Sequence, residues 1–139
     1  MSERPVGKTK DAGWQIGVSR TIAVGLDAVW EYLTSNEGLA VWLGPGVETP
    51  LRKGQAYRTD DGTIGEIRSL RPLDRVRLTW RPANRADHAT IQIALAPAKT
   101  GCTVRFHTER LRDRDEREKM REHWKTVASA IEAELLGEP

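Results

Sequence analysis

Apolar residues recur at Met120, Trp124, Val127, Ile131 and Leu135, in steps of four, three, four and four that set one continuous stripe along a helix over residues 113–136. Asp113 stands three residues before Glu116, the acidic form of a capping box, and Gly137 marks the other end. Such a helix is about 35 Å long at a rise of 1.5 Å per residue, which calls for a broad sheet beneath it.

Strand patterns supply that sheet. Over residues 14–24, Trp14, Ile16 and Val18 alternate with Gln15, Gly17 and Ser19. Arg20 then falls on the apolar parity, so either a bulge shifts the register there or the arginine points inward near a strand end. Two short helices are expected next. Residues 26–34 place Val29, Trp30 and Leu33 on one face with Asp27 as cap; Asn36 is expected to cap the second, with Leu39, Ala40, Trp42 and Leu43 inward, before Gly44, Pro45 and Gly46 end it.

From residue 47 to 108 the text is strands and turns. Asp60, Asp61 and Gly62 join strands at 55–59 and 63–70. The next strand, 76–81, sets Val76, Leu78 and Trp80 inward and Arg77, Thr79 and Arg81 outward. Residues 90–96 point Ile91, Ile93 and Leu95 inward. Over 102–108, Cys102, Val104, Phe106 and Thr108 face in, while Thr103, Arg105 and His107 face out. The expectation is an α+β fold: a curved antiparallel sheet of about six strands around a long C-terminal helix, with two short helices after the first strand. Residues 14–137 read as a single domain preceded by a disordered lead-in, 1–13. One helix cannot fill the concavity of a twisted sheet, so a cavity between them is expected.

Four runs carry a resemblance: VWEYLTSNEGLAVWLGPG (29–46), DDGTIGEIRSLRPLDRVRLTW (60–80), GCTVRFHTERL (101–111) and HWKTVASAIEAEL (123–135). In order and spacing they resemble the START or birch-pollen-allergen (SRPBCC) superfamily, and within it the branch related to activators of the 90-kDa heat-shock chaperone ATPase. The resemblance implies a helix-grip fold. It also implies three functions to weigh: binding of an apolar small molecule in the cavity, dehydration or ring closure as in polyketide cyclases, and stimulation of a chaperone ATPase. Relatives often carry a histidine one position after His107, where this chain has Thr108.

Composition narrows the classes. Charged residues make up 30% of the 139 and the net charge is only +2, with bases and acids interleaved, so nothing supports nucleic acid as a partner. No apolar run approaches the length of a membrane span, and the polar N-terminus lacks a secretory core, which points to the cytoplasm and away from membranes. The single cysteine, Cys102, excludes an internal disulfide and reads as a small core residue.

Candidate chemistry is sparse. Trp42, Trp80 and Trp124 lie on faces expected to meet between sheet and helices, where aromatic walls suit an apolar or aromatic ligand; filling the core is the bland alternative. Phe106 joins them as a partner of Trp124, Tyr57 and Thr108 offer hydroxyls, and His123 stands at the edge of the helix stripe. His88 and His107 read as solvated. No metal spacing, nucleophile turn or carboxylate pair is present, so neither metal nor cofactor is expected and no catalytic residue is assigned. An enzymatic reading would need two polar groups converging, with His123, Thr108, Tyr57 and Arg20 available. The favoured expectation is non-enzymatic binding of a small apolar ligand by a monomer or homodimer, with a cyclase, dehydratase or hydrolase, or a chaperone partner, as alternatives.

Overall fold

A computed structural model describes residues 13–137 and the backbone of Lys8–Thr9. Strands β1 (Lys8–Thr9) and β2 (Gly13–Ile22) lead to helices α1 (Leu26–Leu33) and α2 (Asn36–Trp42). Strands β3 (Ala56–Arg58), β4 (Ile64–Arg71), β5 (Arg75–Trp80), β6 (Ala89–Ala98) and β7 (Gly101–Leu111) follow, then helix α3 (Arg114–Leu136). The strands form one antiparallel sheet in the order β1-β2-β7-β6-β5-β4-β3, in which β1 is a two-residue edge strand. The expected α+β helix-grip architecture is therefore present, with six longer strands and two short helices after β2. Within the segment expected as a lead-in, Lys8–Thr9 pairs with Trp14 and Gly13; its other residues before Gly13 lie outside the described residues.

Alternation sets the layers. Ile67, Val76, Leu78, Ile91, Ile93, Val104 and Phe106 are almost wholly buried on the concave face, where Trp124, Val127 and Ile131 of α3 meet them. Each such side chain contributes roughly 1.5–3 kcal/mol on leaving water. Phe106 stacks on Trp124 with ring centroids 5.0 Å apart, and Trp124 Nε1–H donates to Thr108 Oγ1 at 2.8 Å. The hydroxyl that faces the core thus answers the only polar atom of the indole.

The local signals are partly relocated. Asp113 caps α3 by accepting from the Glu116 amide, and Gly137, at φ 70°, ends it in the left-handed conformation a glycine takes without strain. At α2 the cap is Ser35, whose Oγ accepts from the Gly38 amide, in place of Asn36; α1 starts at Gly25 without a side-chain cap, so Asp27 does not serve. The bulge in β2 lies between Trp14 and Ile16, upstream of Arg20. Arg20 points inward, and its Nη1 reaches Glu132 Oε1 of α3 at 2.9 Å, which gives the charge a partner where the sheet ends. Along α3, Glu118 pairs with Arg117 and Arg121; the helical spacing of four would also allow Arg114–Glu118 and Asp115–Lys119, but neither is among the ion pairs of the described residues. Arg114 lies over the Trp14 ring. Among the described residues no helix is long and apolar enough to cross a membrane.

Candidate functional site

A cleft of about 500 Å³ opens where α3 begins. Trp42 and Leu43 at the end of α2, Trp80 at the end of β5 and Met120 of α3 make its apolar floor and wall. Its other side is polar: Asp61 and Thr63 from the β3–β4 hairpin, Arg85 from the β5–β6 loop, and Asp113, Glu116, Lys119 and His123 of α3. Each element is placed for a physical reason. Trp42 Nε1–H donates to the Leu33 carbonyl at 2.9 Å, which ties α2 to α1 and satisfies the buried indole. Asp61 is fixed by the Thr59 hydroxyl, which donates to its carboxylate, and that bond is the main cause holding the Asp61 carboxyl below its ordinary value.

Arg85 is the anchor that sequence reasoning missed. Only 4% exposed, it donates from Nε and Nη2 to both carboxylate oxygens of Glu116 at 3.0 Å, and also to the carbonyls of Asp87 and Arg110. Glu116 additionally accepts from the backbone and side chain of Arg112. Burial pushes the Glu116 carboxyl up, but the bonds from Arg85 and Arg112 and the Arg85 charge outweigh it and hold the group at about 2. The fork clamps a loop without regular structure onto the first turn of α3, and so fixes one side of the cleft. The run PANRADH has no apolar period, so only the Asp113–Glu116 signature hinted that an acidic side chain would be in demand here.

The structure brings three of the seven expected ligand residues to the cleft: Trp42, Trp80 and His123. The other four lie in the packed interior and are not among the residues lining it. Trp124, Phe106 and Thr108 are wholly buried and engaged with one another. Tyr57 is buried, donates from its phenol to the Thr79 carbonyl at 2.5 Å, and is pushed up in pKa by burial. His123 sits at the rim with its ring 4.9 Å from that of Trp124. Although the residue is exposed overall, loss of hydration at the rim lowers its pKa, against a smaller opposing effect of a hydrogen bond with the Trp42 backbone, and favours the neutral imidazole. The groups an enzymatic reading would need, His123, Thr108, Tyr57 and Arg20, are scattered: two face buried partners, one pairs with Glu132, and one stands at the rim. His88 is exposed as expected, while His107 is half-buried on the outer face, with Nε2 2.9 Å from Gln15 Oε1. Cys102 is a free, buried thiol. No grouping of histidine, cysteine and carboxylate suited to a metal occurs among the described residues.

Residues 23–135 match the family described as Activator of Hsp90 ATPase homolog 1-like protein. The chain belongs to that family. A comparison with curated protein sequences found no match. Solved structures share the fold of this Hsp90 ATPase activator homolog 1-like chain. DynU16, a protein of the dynemicin biosynthetic locus, is 21% identical with a TM-score of 0.79 over 90% of this chain, which spans 48% of DynU16, about half its length. An HSP90 activator from Plasmodium falciparum is 15% identical with a TM-score of 0.73, covering 91% of this chain and 99% of the other. The Aha1 dimer from Colwellia psychrerythraea is 17% identical with a TM-score of 0.71, covering 87% and 95%.

Proposed function

We propose that this family member acts as a cytoplasmic binding protein that takes a small, largely apolar or aromatic ligand into the cleft at the start of α3, without converting it. The observation that carries the reading is Trp80: a half-buried indole on the wall of a concave site whose floor is Trp42, Leu43 and Met120. Ligand sites typically combine such an apolar lining with a few fixed polar groups and fall in the range of about 300–1,000 Å³. Here Asp61 and the Arg85–Glu116 pair are those groups, and both are already held in place. The separation of the four candidate catalytic groups supports binding over turnover. The test is a titration with apolar fluorescent probes: Trp80→Ala is expected to weaken the tightest of them about tenfold, or about 1.4 kcal/mol, whereas undiminished binding would remove the proposal.

A second reading is supported by the family itself and by the likeness to the Plasmodium activator: an interaction with a chaperone ATPase. Stimulation of a 90-kDa chaperone's ATP hydrolysis by the purified chain is its readout, and an unchanged rate at saturating chain would exclude it.

A further inference from the structure

The outer face of the sheet carries a line of arginines that the cleft does not use. Strand register places Arg71 opposite Arg75, Arg75 opposite Ala94, Ala94 opposite Arg105, and Arg105 opposite Ser19. Directly opposite residues of an antiparallel pair share a face, so the three arginines run in one row across β4, β5 and β7, with only a methyl side chain between the second and third. Among the described residues none of the three has an ion-pair partner, whereas the neighbouring Arg77 is neutralised by Glu109 and Arg68 by Glu66. Arg75 also keeps its Nε shielded from water and without a hydrogen-bond partner. Like charges set directly opposite, as Arg71 and Arg75 are, destabilise a sheet, and among the described residues no carboxylate pairs directly with either. Gly17, Ser19, Ala94 and Ala96 beside the row are small and exposed or half-buried, which leaves it accessible, and the charged neighbour on the same face, Arg77, is already paired with Glu109.

We propose that this row docks an acidic amphipathic helix of a protein partner. At about 4.8 Å between strands the arginines stand at about 0, 5 and 14 Å along the row. Carboxylates at positions i, i+4 and i+11 of a helix lie on one face at about 0, 6 and 16.5 Å, a spacing that the reach of arginine side chains matches. The low relief between Arg75 and Arg105 gives the helix backbone room to approach. The surface lies on the side of the sheet opposite to the concave core, so this inference stands whether or not a ligand fills the cleft.

The probe is a labelled synthetic helix of about 20 residues, rich in alanine, with glutamates at i, i+4 and i+11, titrated at low ionic strength where screening is weak. The expected results are saturable binding, amide shifts confined to the outer face of β4–β7, an unmoved Trp80 indole, and a loss of about tenfold or more in the Arg71→Gln, Arg75→Gln, Arg105→Gln triple variant. A single Arg105→Glu variant should also bind poorly and recover when the facing glutamate of the peptide is replaced by lysine. Equal binding by the triple variant, shifts centred on the cleft, or failure of the lysine peptide to rescue would each overturn the proposal. So would equal competition by inorganic phosphate or by phosphatidylserine vesicles, since that would make the row a general anion surface.

Discussion

Arg85 and Glu116 are the pair on which the cleft's geometry rests. Arg85 is buried while Glu116 is half-buried and keeps Arg112 as a partner, so Arg85→Met removes the charged hydrogen bonds without stranding the carboxylate and is expected to cost about 1.5–3 kcal/mol in urea unfolding. The pH dependence has a definite sign. With the Glu116 carboxyl at about 2 in the folded chain and ordinary when unfolded, its contribution is complete above about pH 4.5 and is lost as pH falls toward 2. Acid unfolding of the wild type should steepen in that window, and a Glu116→Gln variant should lack the step. Thr108 offers a cleaner probe of the core. Thr108→Val keeps the shape but leaves the Trp124 indole without its acceptor, a loss of about 1–3 kcal/mol measurable by the same method. These roles were legible to different degrees. Strand parity alone puts Thr108 inward, but the burial of Arg85 depends on a carboxylate about 30 positions away, and no local pattern encodes that.

Among the elements, α3 was the most legible, because its stripe, its cap at Asp113 and its stop at Gly137 are all local signals that agree. The short helices were less so. Ser35, Asn36 and Asp27 are all competent caps by type, and the choice of Ser35 is made by the tight α1–α2 junction, where the Ser35 hydroxyl also donates to the Tyr32 carbonyl at 2.6 Å. Gly38 sits in that junction: a Cβ there would run into the Tyr32 backbone carbonyl. Gly38→Ala should therefore force α2 away from α1 at a cost of about 3 kcal/mol. Because α2 carries Trp42, the same variant should blunt ligand binding in the cleft. Thermal unfolding and probe titration read the two effects separately, and a variant as stable as the wild type would refute the interlock.

At the scale of the whole molecule, the sheet and helix expected from pattern are present, yet the open space lies elsewhere than beneath the middle of the helix. There the Phe106–Trp124 stack fills the concavity, and the cleft forms at the helix's start, between α2, the β3–β4 hairpin and the loop that Arg85 anchors. Parity predicts which residues point inward but not which of them find a partner, so it could not separate Trp80 on a wall from Trp124 in a stack. The five tryptophans make the distinction measurable, since each indole N–H gives its own signal in a nitrogen-15 correlation spectrum. Titration with a panel of small aromatic and aliphatic ligands tests the central claim most directly. The account predicts that binding compounds shift the indole signals of Trp80 and Trp42 and leave those of Trp14 and Trp30 in place; a panel that moves none of the five, or moves Trp14 or Trp30 alone, would contradict it.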